Sequence, residues 1–252
     1  MSESLLVALE GGVFTLTLNR PDKRNALDTP TLDALHAAVE RADLDAGVRV
    51  VAVRGAGKDF CAGADLAELL ESAGHTPEQN ERAALHLGGL FVKLRALPKP
   101  VVAVVHGRAL AGGAGLATAC DLVLASASSQ FGYPEIQRGF VPAMVMTLLR
   151  RLAGEKRAFD LAATGRVLTA SEALDCGLVS RVIPDREFEA EAGRVLTALA
   201  GNSASALALT KRQFYQLDGM GFQEGIALGA QVNALARSTP DFKAAIAGFL
   251  KK

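Results

Sequence analysis

Two short segments rich in glycine and alanine constrain this chain most, because they leave backbone N–H groups uncovered by side chains. They are residues 60–65 and 109–115. Each follows an apolar, strand-like run, at 50–53 and at 101–105, and each leads into a helical pattern. A strand, a tight loop and a helix start together aim free N–H groups at one point. The two segments therefore predict a pair of amide donors for one substrate oxygen, which must approach them to about 3 Å.

The composition allows one large folded unit and disfavours several classes of partner. Half of the 252 residues are apolar, so a sizeable buried core is expected. Lys plus Arg and Asp plus Glu number 27 each, so no summed charge attracts the chain to nucleic acid or to an anionic membrane. The first four residues lack a basic leader, and no apolar run reaches the roughly 18 residues of a membrane span. We therefore expect a small-molecule partner and neither export nor membrane insertion.

The cysteines and histidines indicate neither disulfides nor a metal site. Cys61, Cys120 and Cys176 are odd in number, widely spaced and free of any C-x-x-C pair. The four histidines share no spacing typical of metal ligands. Reduced thiols favour a cytoplasmic location.

Strand and helix patterns alternate over the first half of the chain, which predicts an α/β fold. Residues 5–9 and 13–18 flank Glu10-Gly11-Gly12 as in a hairpin, and Thr29 before Pro30 resembles a helix N-cap. After Pro142 helices dominate, and only residues 178–183 still have the pattern of a strand. We expect one continuous unit with a core over residues 1–185 and a helical region over 186–252 that serves in oligomerisation.

Four motifs occur in order along the chain. They are Arg20-Pro21-x-x-Arg24-Asn25-Ala26-Leu27, Phe60-Cys61-Ala62-Gly63-Ala64-Asp65-Leu66, Gly107-x-Ala109-x-Ala111-Gly112-Gly113 and Phe131-Gly132-x-Pro134-Glu135. Together they resemble the enoyl-CoA hydratase/isomerase (crotonase) family over nearly the whole chain. The resemblance implies a spiral of ββα units with a helical C-terminal region, assembled as a homotrimer or homohexamer. It also implies an acyl-CoA substrate, with coenzyme A entering as part of that substrate and no other cofactor.

The resemblance also implies roles for particular residues. Ala64 and Gly112 are the expected backbone donors to the thioester oxygen, and Glu135 is the expected acid/base. The residues expected to bind the substrate and its coenzyme A are Lys23, Arg24, Ala26, Ala62, Ala64, Asp65, Leu66, Ala67 and Gly112. Asp65 also stands at a helix start, where the helix dipole favours a carboxylate, so its side chain is interpreted as structural.

One position departs from the family pattern. Family hydratases use a second glutamate in the helix after the second segment, and here that position is Gly115. A single carboxylate beside an oxyanion hole can still move a proton between two carbons, which is double-bond isomerisation. The departure therefore puts simple hydration in doubt. It also leaves open that the protein binds acyl-CoA without catalysing a reaction. Separately, Glu135 could be an ordinary ion-pair residue.

Two further alternatives stay open. Met144 and Met146 follow Pro142, where the family has smaller residues, and either line the acyl pocket or fill gaps in the core. RNA binding occurs in a few relatives, but the net charge of zero argues against it here.

Overall fold

The computed structural model describes residues 4–250. Its strands are β1 (Leu5–Glu10), β2 (Val13–Leu18), β3 (Val50–Gly55), β4 (Val101–Val105), β5 (Arg108–Leu110), β6 (Leu122–Ser126), β7 (Gln130–Gly132), β8 (Val167–Thr169) and β9 (Arg181–Ile183). Its helices are α1 (Thr29–Leu44), α2 (Leu66–Glu71), α3 (Pro77–Ala96), α4 (Gly112–Ala119), α5 (Ala143–Thr164), α6 (Ala170–Asp175), α7 (Phe188–Gly201), α8 (Ala204–Gln216), α9 (Phe222–Ser238) and α10 (Pro240–Phe249). The alternation of strands and helices confirms the predicted α/β class.

A six-stranded sheet in the order β1-β2-β3-β4-β6-β9 forms the centre of the fold. The β1–β2 hairpin is antiparallel, whereas each later pair in this sheet is parallel. β4 is buried along its whole length, as expected for a central parallel strand covered on both faces. Helix α7 packs on one face through Phe188, Ala192 and Val195, and the larger apolar core lies on the other.

A second, three-stranded sheet positions the site. β5 and β7 are parallel, with Leu110 opposite Gly132, and β8 pairs with β7 in the antiparallel sense. The carboxyl ends of parallel strands meet at one edge of a sheet. Helix α4 follows β5 at that edge, and a 3-10 helix, Pro134–Arg138, follows β7. This topology places the start of α4 and the 3-10 helix that carries Glu135 after neighbouring strand ends.

Several local predictions are confirmed, and two are wrong. The β1–β2 turn has positive φ at Gly11 (56°) and Gly12 (82°), as a tight hairpin requires. The N-cap of α1 is Asp28 and not Thr29, because the Asp28 side chain accepts the Thr31 N–H at 2.9 Å. Strand β8 lies in the region predicted to be helical. It has only three residues, of which one is buried, and this is too short for an alternating strand pattern to be recognised in the sequence.

After β9, the described chain up to residue 250 continues in helices, and α8, α9 and α10 pack on one another. The boundary at residues 185 and 186 stays a prediction. Lys211 on α8 is buried, and its Nζ donates to Asp121 Oδ2 at 2.7 Å and to Leu94 O at 2.8 Å. This contact fastens α8 to the core next to the end of α4.

No helix within residues 4–250 combines the length and the apolar character that a bilayer span requires. The expectation that the chain is not exported came from the first four residues. Residues 1–3 lie outside the described part of the chain.

Candidate functional site

Three backbone segments lie side by side at the site. Leu27 N–H, just before α1, donates to Gly63 O at 2.8 Å. On the opposite edge, Cys61 N–H donates to Arg108 O at 3.0 Å, and Leu110 N–H donates to Cys61 O at 2.9 Å. The first small-residue segment is therefore fixed on both edges, with the segment before α1 on one side and β5 on the other.

The two predicted amide donors are neighbours. Gly63 has φ 99°, and a Cβ there would lie 2.8 Å from Ala111 Cβ and 3.3 Å from Gly112 N. A Cβ on Gly112 would lie 3.9 Å from Ala64 N. Within residues 4–250, neither the Ala64 nor the Gly112 N–H donates to a protein acceptor. The structure thus brings together two unused amides, and a side chain on Gly63 would clash beside them.

Ala111 sets the direction of the second amide. It is one of three described non-glycine residues with positive φ, at φ 51° and ψ −126°, a conformation that costs about 1–3 kcal/mol. Its N–H donates to Gly132 O on β7 at 2.8 Å, which helps to hold the turn. The turn makes Gly112 the first residue of α4, so its N–H lies at the positive end of the helix dipole.

Glu135 lies in the 3-10 helix after β7 and is buried, with 8% of its surface exposed. Its Oε2 atom is buried and has no hydrogen-bond partner among the described residues. Burial raises the pKa of the Glu135 carboxyl, while its own backbone and Arg138 partly oppose that shift. No cation within residues 4–250 lies within 4.0 Å of it, so the ion-pair interpretation is wrong.

Gly115 faces an apolar wall rather than an open pocket. A Cβ at this position would lie 2.2 Å from Val145 Cγ1 on α5 and 2.9 Å from Phe91 Cζ on α3. Real Cβ atoms do not approach other atoms so closely. Phe91 and Val145, both buried, therefore fill the space that a side chain at residue 115 would need. A carboxylate cannot be placed here without moving the Val145 and Phe91 side chains.

The predicted coenzyme A segment is exposed and held in a strained conformation. Lys23 and Arg24 are solvent-exposed, and Arg24 and Asn25 have positive φ values of 52° and 56°. Asn25 is buried and donates from Nδ2 to Ala56 O at 2.8 Å and to Asp59 O at 2.7 Å. The buried amide fixes the turn that carries both cations, and Arg24 Nε lies 3.9 Å from Asp59 Oδ2.

The remaining predicted binding residues surround the first amide. Asp65 is the N-cap of α2: its Oδ1 accepts the Ala67 N–H at 2.9 Å, and its Oδ2 accepts from Arg20 at 2.8 Å. The Arg20 hydrogen bond lowers the pKa of Asp65. The Asp65 backbone is also hydrogen-bonded, since its N–H donates to Leu27 O at 2.9 Å and its carbonyl accepts the Leu69 N–H at 3.0 Å. The residue is therefore structural, as the sequence predicts. Leu66 and Ala67 are exposed in the first turn of α2, Ala62 is half-buried, and Ala26 is buried.

Other candidates are used elsewhere in the structure. Glu68 accepts from the Thr29 N–H at 3.0 Å, which joins α2 to the start of α1. Burial raises the pKa of the Cys61 thiol to about 12, so it is not a nucleophile. Met144 packs between α5 and α3 near Gly88, which favours the gap-filling alternative. No cluster of three or more metal-ligating side chains occurs between residues 4 and 250.

Sequence reasoning missed three residues of the site. Phe91 and Val145 have the pattern of ordinary core positions on helices, and nothing in the sequence shows that they meet at Gly115. Tyr133 is fully buried two residues before Glu135, and burial raises the pKa of its hydroxyl.

Comparison with known proteins identifies the family of this chain. A model of the enoyl-CoA hydratase/isomerase family matches residues 8–252. The chain is 43% identical over 243 residues to a "Putative enoyl-CoA hydratase" of Thermus thermophilus, covering 96% of each protein. It is 35% identical over 253 residues to the 2,3-dehydroadipyl-CoA hydratase of Escherichia coli, covering 100% of this chain and 97% of that one.

A solved structure shares the whole fold. The crystal structure of an enoyl-CoA hydratase from Mycobacterium smegmatis superposes with a TM-score of 0.95 at 31% identity, covering 99% of this chain and 97% of that one. The chain therefore belongs to the enoyl-CoA hydratase/isomerase (crotonase) family and is an acyl-CoA enzyme of that family.

Proposed function

We propose that this enzyme binds an acyl-CoA thioester with its carbonyl oxygen between the Ala64 and Gly112 amides and uses Glu135 as the only acid/base. The Glu135 carboxylate removes a proton from the carbon next to the thioester, and the electron pair moves onto the thioester oxygen. Two fixed amides stabilise that enolate without reorganisation, a contribution worth roughly 3 kcal/mol for each donor. Glu135 then returns the proton to a different carbon, so the double bond moves.

The observation that carries this proposal is the pairing of two unused amides with a buried, unpartnered carboxyl oxygen on the neighbouring strand end. The raised pKa of Glu135 brings it closer to neutral pH, where a group that both takes and returns a proton works best. Lys23 and Arg24 are the proposed contacts to the coenzyme A phosphates.

The wall at Gly115 favours isomerisation over hydration. A second carboxylate that would help to hold a water has no space there, because Phe91 and Val145 occupy it. Hydration by Glu135 alone is the second candidate, since similar proteins bear the name hydratase. In that reaction Glu135 takes a proton from water, the hydroxyl adds to the β-carbon, and the proton returns to the α-carbon.

The test is to follow the conjugated-thioester absorbance with a 3-enoyl-CoA and with crotonyl-CoA. Wild type, Glu135→Gln and the remote control Glu189→Gln are compared, and butyryl-CoA binding is measured by calorimetry. Isomerisation is supported if wild type and E189Q produce the conjugated-thioester absorbance from the 3-enoyl ester and E135Q does not. Glu135-dependent loss with crotonyl-CoA supports hydration instead. Tight binding without turnover of either ester contradicts both and supports a non-catalytic binder.

We also propose a homotrimer or homohexamer in the cytoplasm, with no cofactor beyond the coenzyme A of the substrate and with no nucleic-acid or membrane partner. Large apolar side chains of the C-terminal helices, such as Phe222, Ile226 and Phe249, are exposed in the single chain. Such surfaces often mark contacts between subunits. Analytical ultracentrifugation distinguishes a monomer from three or six copies.

A further inference from the structure

We propose that Arg20 is a positioning residue that holds the Ala64 amide in its donor orientation through a relay of two peptide groups. The inference rests on the proposed role of Ala64 as a donor to the thioester oxygen. Arg20 lies outside the set of residues expected to touch the substrate, and its side chain is only 20% exposed.

The relay consists of two consecutive hydrogen bonds. Arg20 Nη1 donates to Ala26 O at 2.6 Å. The same peptide group carries the Leu27 N–H, which donates to Gly63 O at 2.8 Å. The peptide group of Gly63 O in turn carries the Ala64 N–H. Arg20 is therefore linked to the oxyanion donor by an unbroken series of hydrogen bonds and planar peptide groups.

Peptide planarity turns this series into a constraint on direction. In a trans peptide the C=O and N–H bonds point in opposite directions, and rotation about the C–N bond is strongly opposed. Fixing Gly63 O towards Leu27 consequently fixes the Ala64 N–H towards the opposite side, where Gly112 N lies. Hydrogen bonds in series also polarise one another, so a charged donor at the start strengthens the last N–H as a donor.

Arg20 is held in place for this task by two carboxylates. Its Nη2 lies 2.8 Å from Asp65 Oδ2 and 3.1 Å from Asp28 Oδ2. Its backbone N–H donates to Asn25 Oδ1 at 2.9 Å, which ties it to the strained turn at residues 24 and 25. A planar guanidinium can serve Ala26 O and a carboxylate at once, whereas lysine offers a single point charge.

The Gly112 amide receives its support differently. Its peptide group includes Ala111 O, which accepts the Gly115 N–H at 3.0 Å inside α4. A helix therefore orients one donor, and the Arg20 relay orients the other. Changing Arg20 is expected to weaken only the Ala64 donor.

The experiment measures the carbonyl stretch of bound [1-13C]butyryl-CoA by isotope-difference infrared spectroscopy, together with its Kd and with kcat for the reactive ester. Arg20→Gln is compared with wild type and with Arg54→Gln, which breaks a comparable arginine–carboxylate pair on β3. In case the lost charge leaves Asp65 unpaired and impairs folding, the double variant Arg20→Gln with Asp65→Asn is measured as well.

In wild type, the carbonyl frequency of bound butyryl-CoA falls below its value in water if the two amides bind the oxygen. In R20Q we expect that frequency shift to shrink. We expect kcat to fall about tenfold, which is a smaller decrease than the loss of a whole donor would cause. We expect Kd to change less than about threefold. R54Q leaves all three quantities unchanged. A folded R20Q or double variant with the wild-type frequency overturns the relay, whereas the absence of any shift in wild type overturns the proposed function first.

Discussion

The two sides of the site are made from different parts of the chain. On the α4 side, residues 112–119 are buried and contribute the unused backbone N–H of Gly112, while Gly115 faces a wall of Phe91 and Val145. On the β7 side, a 3-10 helix contributes one carboxyl, whose Oε2 has no partner among the described residues. Side-chain substitutions can remove the proposed acid/base directly, but they reach the Gly112 amide only by adding bulk or by replacing its N–H.

The largest expected effect comes from removing an amide. Gly112→Pro lacks the N–H, and proline is common at the first position of a helix, although it also restricts the backbone of Ala111 before it. We expect kcat to fall about 10²- to 10³-fold. Gly112→Ala keeps the N–H, and its Cβ would lie 3.3 Å from Leu87 Cδ2, a contact that a flexible side chain can relieve. Steady-state kinetics of both variants, checked for folding by circular dichroism, test this; equal losses would contradict a role for the N–H.

An intermediate effect is expected from filling the apolar wall. Gly115→Ala places its Cβ 2.2 Å from Val145 Cγ1, and such overpacking costs about 1–3 kcal/mol. Val145→Ala removes the clashing methyl, so the double variant should recover part of the stability lost in G115A. Denaturant unfolding of the two single variants and the double variant measures the coupling. Strict additivity would show that the two positions do not meet.

The smallest expected effect concerns pH and the buried carboxyl. Because the pKa of Glu135 is raised in the folded chain, the folded state binds this proton more tightly than the unfolded state does. The free energy of unfolding therefore decreases as pH rises from the ordinary glutamate pKa through the raised one. We expect Glu135→Gln to unfold at a higher temperature than wild type at neutral pH and at a similar temperature in acid. Melting curves across this range test the sign, and a difference independent of pH would contradict it.

The sequence predicts the backbone side of the site better than its surroundings. The small residues at 60–65 and 109–115 require close backbone approach, so the pairing of the two segments follows from composition and order. The choice of Ala64 and Gly112 as the two donors comes from the resemblance to the family. The wall at Gly115 does not follow, because Phe91 and Val145 belong to helices distant in sequence. Their apolar pattern indicates burial but not which helix they face. The Arg20 relay depends in the same way on atomic directions that no spacing encodes.

Gly63 belongs to the first small-residue segment and lies against the second. Ala111 Cβ and Gly112 N of the second segment are so close that Gly63 has no room for a side chain. The separation of the two amides is consequently set when the chain folds and not when substrate arrives. If the proposed site binds the thioester oxygen, little conformational entropy is lost there on binding. The affinity for different acyl chains could then change through other residues of the pocket while the two amides stay the same.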